Sequence, residues 1–278
     1  VAVVRLPGII CKLSLPVFVE QVDVRLEKKH LKTSFQESAR ILRYQFLEKT
    51  LSSINGDKIA VGHTADDQIE TVLMNLLRGA GLKGLSGMPK KRGRVIRPLL
   101  GCNRNELEFF LKNQDMSYRK DSSNSENKYL RNKIRHDLIP YLRTFNNDIS
   151  KNLLSLAEIV RDEDDWISGE TRDLYAQLVR TSNEERELSF KIPDFQKQHQ
   201  AMKRRVIREA LYQLSGSLRG ITALHIRQIL DLFARARVGS RLKLPGNVRV
   251  FCDYEAVNFS LADELEENRV GSSEIDQN

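Results

Sequence analysis

The chain has 278 residues, of which 40% are hydrophobic and 29% are charged, and its formal net charge is +8. This length allows two domains with separate cores, and no apolar run approaches the ~20 residues that span a bilayer. Three scattered cysteines, Cys11, Cys102 and Cys252, argue against a disulfide framework or a cysteine metal site. We therefore expect a cytoplasmic protein without a membrane partner.

Positive charge is concentrated in two stretches of the chain. Residues 83–104 hold seven basic residues and no acid, and residues 119–143 hold seven basic and three acidic residues. Such density indicates a polyanionic partner, because phosphate neutralisation supplies most of the affinity for nucleic acid. A solvated basic face is the alternative for either stretch alone. Two stretches that flank one candidate site favour RNA.

The first predicted elements are two strands and a helix. Apolar residues at 17–19 and 22–24 predict strands of a parallel sheet. Ser34 and Glu37 predict a capping box at the start of a helix that ends near Ser53. Arg40 lies off the apolar stripe of this helix.

The stretch from Gly62 to Pro89 is the most informative part of the chain. A short apolar run at 59–61 predicts a buried strand before it, and Thr64 with Asp67 predicts a capping box that begins the next helix. Apolar residues at helical spacing continue to Leu77. His63, Asp66 and Asp67 should therefore lie where a strand's carboxyl end meets a helix, which is where ligands bind in open α/β sheets.

Three acids lie beside a histidine in this stretch. The helix dipole stabilises carboxylates in a first turn, which is enough to explain Asp66 alone. Glu70 lies one turn further along and adds a third acid to the same face. Such a cluster at a strand end suits a hard cation such as Mg²⁺ with phosphate partners.

A glycine-rich basic segment follows the central helix. Residues 79–87 hold four glycines and Lys83, and Lys90 and Arg92 come directly after them. Glycines allow close backbone approach and positive φ, so a substrate-facing loop and a flexible connector are both open. Beyond a short strand that ends at 97–100, Asn103 and Glu106 predict another capped helix.

The segment 121–142 combines a predicted turn, DSSN at 121–124, with a basic helix. Lys128, Arg131 and Arg135 fall on one face of that helix. Guanidinium groups there can bind phosphate or carboxylate in bidentate fashion. Pro140 predicts a kink or an end of the helix.

A domain boundary is predicted near Phe145 to Asp148, which gives domains 1–146 and 147–262 and an acidic tail, 263–278, that we expect to be disordered. The second domain is predicted to be mainly helical, with helices near 170–180, 196–214 and 222–236 and strands around Pro245. The acids at 162–165 predict a solvated helix face. Arg204 and Arg205 belong to a basic helical face that suits either RNA binding or solubility.

Several ordered motifs resemble those of the tRNA(Ile)-lysidine synthetases, which are PP-loop (N-type) ATP pyrophosphatases. The resemblance runs from about Leu15 to Phe259 and rests on SFQESARILRYQFL (34–47), the central stretch, VIRPLL (95–100), DSSN and YLRNKIRHDLIPYL (129–142). It implies an α/β fold: an incomplete parallel-sheet PP-loop domain, Rossmann-like and similar to the adenine nucleotide alpha hydrolases, followed by a mainly helical domain.

The resemblance also implies a reaction on tRNA with ATP and Mg²⁺. ATP would adenylate the C2 oxygen of the wobble cytidine of a CAU-anticodon isoleucine tRNA, and the side-chain amine of free lysine would then displace AMP. The implied catalytic residues are Asp67, Glu70, Arg40, Arg131 and Arg135. Asp67 is also the implied metal ligand, and the cofactor would contact Gly62, His63 and Asp66. The candidate tRNA contacts are Lys83, Lys90, Arg92, Lys128, Arg204 and Arg205.

One family motif is missing from the chain. The SGGxDS loop, whose backbone amides hold the ATP phosphates in that family, occurs nowhere here, and no GxxxxGK[ST] replaces it. We favour a fragment of a longer enzyme, which would bind tRNA with little or no turnover, over a non-catalytic RNA-binding remnant. A thiolating PP-loop enzyme is a further alternative, disfavoured because paired cysteines are lacking. The oligomeric state stays open, with a homodimer among the options.

Overall fold

The structure, a computed structural model, describes residues 15–25, 34–116, 130–181 and 187–261. The chain divides into two compact units, Val1–Asp162 and Glu163–Asn278. The domain boundary near Phe145 to Asp148 stays a prediction. The DSSN turn, Lys128 and the acidic tail lie outside the described residues.

The first unit alternates helices with very short strands. Its elements are α1 (Phe35–Ser53), β1 (Ile59–Ala60), α2 (Ala65–Leu77), α3 (Leu82–Leu85), β2 (Lys91–Arg92), β3 (Val95–Ile96), α4 (Arg104–Asn113), α5 (Leu130–Lys133), a π-helical turn (Ile134–Leu138) and α6 (Ile139–Phe145). The sheet order is β1-β3-β2, with β1 parallel and β2 antiparallel to β3. The parallel pair and the flanking helices agree with the predicted α/β class.

The strands expected at 17–19 and 22–24 are wrong, because residues 15–23 form neither helix nor strand. Val17, Phe18 and Val19 are exposed. High strand propensity is not sufficient, because a strand needs a partner for its backbone groups. Within the described ranges, β1, β2 and β3 pair only with one another.

Side-chain caps begin three helices of this unit, α1, α2 and α4, at the residues that the sequence predicted. Thr64 and Asp67 form a complete capping box at α2, as do Asn103 and Glu106 at α4, and Ser34 caps α1. Pro140 lies in the first turn of α6, directly after the π-helical turn. Because proline lacks an N–H and crowds the preceding turn, it produces a local irregularity without ending the helical segment.

The helix α7 (Ile149–Leu178) contains the point where the two units divide. Its acidic run is only partly solvated: Asp164 is 7% exposed and pairs with Arg205, which corrects the prediction of a fully solvated face. In the part of the chain that the structure describes, no helix, α7 included, has both the length and the apolar character needed to cross a membrane.

The second unit packs helices on one antiparallel sheet. Beyond α7 it contains β4 (Val179–Thr181), β5 (Glu187–Lys191), α8 (Ile192–Gln196), α9 (Gln200–Ser215), α10 (Ala223–Arg235), β6 (Arg241–Leu244), β7 (Val248–Cys252) and β8 (Ala256–Leu261). The sheet order is β4-β5-β8-β7-β6. Phe195 stacks on Phe233 in the core, with ring centroids 3.8 Å apart. The predicted helices and late strands are present, and β4 and β5 are strands that the sequence analysis missed.

Candidate active site at the carboxyl edge of the first sheet

The predicted crevice lies where β1 and β3 end. Both strands run in the same direction, so their carboxyl ends share one edge of the sheet. The N-terminus of α2 is held at this edge by the segment after β3, since Ala65 N donates to Cys102 O at 2.9 Å and Arg104 N donates to Asp66 Oδ2 at 2.8 Å. Asp66 therefore has a structural partner as well as its place in the crevice.

Glu70 is the buried centre of the site. Its side chain is 1% exposed, and its two oxygens accept hydrogen bonds from Arg131 Nε at 2.8 Å and Arg135 Nε at 2.5 Å. The hydrogen bond to Glu70 is the main cause that raises the pKa of Arg135. Arg131 and Arg135 reach the same carboxylate because they are four residues apart on one helical face. Together they compensate a buried charge that would otherwise be costly.

Asp67 lies beside this cluster, and its two carboxylate oxygens make different contacts. Its Oδ2 accepts from Thr64 N at 2.9 Å in the capping box. Its Oδ1 lies 3.6 Å from Arg131 Nη2 and 3.7 Å from Arg135 Nη2. One oxygen thus begins the helix, and the other remains next to two guanidinium groups at the surface of the crevice.

A cleft of about 460 Å³ opens next to these groups. Its walls are formed by Thr64, Asp66, Asp67, Glu70, Arg104, Arg135, Ile139 and Arg143. Carboxylates and guanidinium groups are therefore both present on the same walls. A ligand that carries both an ammonium and a carboxylate would find complementary charges there.

The described residues do not form a magnesium site by themselves. Among them, no three His, Cys, Asp or Glu side chains are grouped so that they could hold a metal. Both oxygens of Glu70 are bonded to arginines, and Asp67 divides its oxygens between the helix cap and two guanidinium groups. A cation at Asp67 would therefore meet the positive charge of two guanidinium groups.

His63 lies half-buried at the same edge, directly after the exposed Gly62. Burial lowers the pKa of His63; Asp67 opposes this, and the charges of Arg97, Arg131 and Arg40 add to the lowering. Arg40 is exposed and its guanidinium lies 5.3 Å from the ring centre of Tyr44. The structure therefore brings Asp66, Asp67, Glu70, Arg131 and Arg135 together with His63, and it places Arg40 near enough to affect this histidine.

The glycine-rich segment is held in place by side chains from neighbouring helices. Met88 N donates to Gln68 Oε1 at 2.7 Å, Asn75 Nδ2 donates to Gly84 O at 2.7 Å, and Arg161 Nη2 donates to Ser86 O at 2.6 Å. Gly87 has a φ of +67°, and a Cβ there would lie 2.7 Å from Gln68. These contacts describe an ordered loop and not a flexible connector.

The candidate RNA contacts that the structure describes are not among the residues that line the cleft. Lys83, Lys90 and Arg92 are exposed, and Lys90 is 3.9 Å from Glu158. In the second unit Arg204 is exposed, whereas Arg205 donates to Asp164 Oδ1 at 2.6 Å and to Ser168 Oγ at 3.3 Å. The guanidinium of Arg205 is therefore largely occupied by its own unit.

Three further arginines near the carboxyl edge of the first sheet were not chosen from the sequence. Arg104 and Arg143 line the cleft, and Arg97 is a buried residue directly after β3. Arg97 could have been found, because it follows a predicted strand within the VIRPLL motif. Arg104 and Arg143 carry no comparable signal, since each is one exposed basic residue among several.

Comparisons with known proteins identify two kinds of domain in the chain. Residues 5–142 match the family model described as a PP-loop domain, and residues 190–255 match the TilS substrate binding domain. The tRNA(Ile)-lysidine synthase of Caldanaerobacter subterraneus subsp. tengcongensis is 34% identical over 88% of this chain and 52% of its own length. The corresponding protein of Clostridioides difficile is 34% identical over 84% of this chain and 51% of its own.

A solved structure gives a weaker match. The U34-tRNA thiolase NcsA from Methanococcus maripaludis, with its [4Fe-4S] cluster, covers 44% of this chain and 43% of that chain at 19% identity. Its TM-score is 0.36, which is too low to assign a function. The thiolating alternative gains no support from it.

The first matched domain and the crevice at the end of two parallel strands define a PP-loop protein. With the TilS substrate binding domain after it and curated relatives of the same kind, the chain belongs to the tRNA(Ile)-lysidine synthase family. The chain spans about half the length of these relatives.

Proposed function

We propose that the chain is part of an enzyme that ligates lysine to C2 of the wobble cytidine of a CAU-anticodon isoleucine tRNA, while ATP is converted to AMP and pyrophosphate. The observation that carries this proposal is the buried Glu70 bonded to Arg131 and Arg135, with Asp67 beside it in an open cleft. Family membership supplies the reaction class, and this cluster supplies a place for the amino acid.

Free lysine fits the cleft by charge. Its carboxylate would face a guanidinium of the walls, from Arg104, Arg135 or Arg143, and an ammonium group would face Asp66 or Asp67. Glu70 would act indirectly, because both of its oxygens already hold Arg131 and Arg135 in position. We therefore assign Glu70 as a positioning residue and Asp67 as the carboxylate that meets the substrate.

The reaction has two balanced steps. The C2 oxygen of cytidine attacks the α-phosphorus of ATP and pyrophosphate leaves; the lysine side-chain amine then bonds to C2 and AMP leaves with that oxygen. The amine must first lose a proton. Asp67 Oδ1 and His63 are candidate acceptors at this edge; burial lowers the pKa of His63, which favours its neutral form and makes it the weaker base.

The tRNA would be held by the exposed basic residues Lys83, Lys90, Arg92 and Arg204. ATP follows from the PP-loop family. Mg²⁺ remains a prediction, since the described carboxylates do not form its site, and a homodimer and a cytoplasmic location also remain predictions.

The direct test replaces Asp67 by Asn in the full-length protein. The amide oxygen can still accept from Thr64 N, so α2 keeps its cap, whereas the negative charge beside Arg131 and Arg135 is lost. Lysidine formation should fall by about a hundredfold or more, with tRNA binding nearly unchanged. The matched control is Glu106→Gln, which alters an exposed capping-box acid at α4 and should leave both unchanged.

Activity that survives in Asp67→Asn would remove this residue from the mechanism. A second assay separates the enzyme from a non-catalytic RNA-binding protein: tRNA, lysine and labelled ATP are mixed with the protein and pyrophosphate is measured. Binding of tRNA without any release of pyrophosphate by the full-length protein would favour the RNA-binding alternative.

A further inference from the structure

Arg97 is a buried cation with incomplete bonding. It is 6% exposed, and its Nη1 donates to Pro89 O at 2.8 Å. Its Nε has no hydrogen-bond partner among the described residues. Arg94, Arg104, Arg131, Arg135 and Arg205 each pair with a carboxylate, whereas Arg97 forms no such pair with a described residue. A buried guanidinium without an anion is costly, so an anion that bound beside Arg97 would offset this cost.

Arg97 lies at the carboxyl edge of the first sheet, where the candidate site is. Val61 N donates to Ile96 O at 3.0 Å, which extends the parallel pairing of β1 and β3 up to Arg97. Arg97 therefore follows one strand at the edge where His63 follows the other. His63 Nδ1 also has no hydrogen-bond partner in the described part of the chain. Two unpartnered nitrogens from neighbouring strands thus lie at one edge of the sheet.

The neighbouring arginines show why Arg97 differs. Arg131 and Arg135 are neutralised by Glu70 and Asp67, which leaves them suited to orienting a zwitterion. Arg97 has no such acid among the described residues, and its charge lies near enough to His63 to help lower the pKa of that histidine. Such surroundings favour a ligand group with net negative charge and several acceptor oxygens, and a guanidinium fork fits phosphate geometry.

We propose that Arg97, through its Nε–H, binds a phosphate group of the bound nucleotide, at a subsite distinct from the Glu70 cluster that receives the amino acid. The oxyanion chemistry comes from the geometry of Arg97 alone. That the phosphate belongs to a nucleotide rests on the proposed function.

The test follows the Nε–H resonance of Arg97 in ¹⁵N-labelled protein, assigned by its loss in Arg97→Lys. Pyrophosphate and ATP should each shift this resonance at saturation, and the Nε–H of the exposed Arg94 should stay in place. Two further titrations use free lysine and a short single-stranded oligoribonucleotide. A shift with only the oligoribonucleotide, with only lysine, or with none of the four ligands would overturn the proposal.

A binding measurement adds a second criterion. Arg97→Lys keeps the charge and a donor that can reach Pro89 O but lacks the Nε–H, so its affinity for pyrophosphate and ATP should fall by about tenfold. Arg94→Lys is the matched control and should bind as the wild type does. Equal affinity of wild type and Arg97→Lys would contradict the assignment, and the resonance titration of the wild type does not depend on how the variant folds.

The two hypotheses can fail separately. If pyrophosphate shifts the Arg97 resonance but the full-length protein forms no lysidine, the proposed reaction is wrong and the phosphate subsite stands. If lysidine forms at the normal rate and no phosphate ligand affects Arg97, the subsite is wrong and the reaction stands.

Discussion

Each unit contains a buried acid bonded to arginine. The two cases differ in which guanidinium nitrogens are hydrogen-bonded and in whether a cleft lies beside the pair. In the second unit Asp164 and Ser168 take both terminal nitrogens of Arg205. In the first unit Glu70 binds two arginines through their Nε atoms, and their Nη2 atoms lie 3.6 and 3.7 Å from Asp67 at an open cleft. A buried ion pair therefore does not by itself mark a functional site. The Glu70 cluster is the better candidate because its residues border an open cleft.

The largest effect is expected for Glu70→Gln. The change leaves two guanidinium groups without their buried counter-charge. Breaking a fully buried pair costs ~3–5 kcal/mol, and because Arg131 and Arg135 are partly exposed we expect a loss of about 2–4 kcal/mol in the free energy of unfolding. Urea unfolding would measure it. Lysidine formation should fall as well, since both arginines lose their positions.

A smaller effect is expected for Asp164→Asn, which serves as the comparison. Asparagine can still accept one hydrogen bond from Arg205, so the loss should be ~1–3 kcal/mol. Because neither Asp164 nor Arg205 lines the cleft next to Glu70, the KM for lysine in the full-length protein should stay at the wild-type value. A clear rise in that KM for Asp164→Asn would break the distinction between the two acids.

The smallest effect is expected for His63, in the pH dependence of the free energy of unfolding. Burial lowers the pKa of His63, so the unfolded chain binds this proton more readily than the folded one. The stabilising contribution is present above about pH 6.5 and is lost as the pH falls towards the lower folded pKa. Unfolding free energies measured between pH 8 and 5 should therefore fall less steeply for His63→Gln than for the wild type. Parallel curves would show that His63 does not contribute.

Local features could be predicted from the sequence because they depend on neighbours a few residues apart. The capping boxes at Thr64 and Asn103 join residues three apart, and the structure confirms them. The helical spacing that predicted α2, α9 and α10 is equally local. Long-range pairing was not predictable in this way: β5 pairs with β8 across about seventy residues, and β5 was missed.

The acids and arginines of the candidate site illustrate the same limit. Their residue types and spacing indicated Asp67, Glu70, Arg131 and Arg135, and the structure brings these four together. The sequence did not indicate which acid is buried, or that Asp164 is buried and bonded to Arg205. Burial depends on what packs from distant parts of the chain.

The amino-acid sequence by itself determined the α/β class, the helix starts and the set of charged residues at the end of β1, because caps and amphipathic spacing act within one or two turns. Tertiary structure decided which charges are compensated. Glu70 receives its two arginines from more than sixty residues away, and Arg97 is left without an acid because none of the described segments packed around it supplies one.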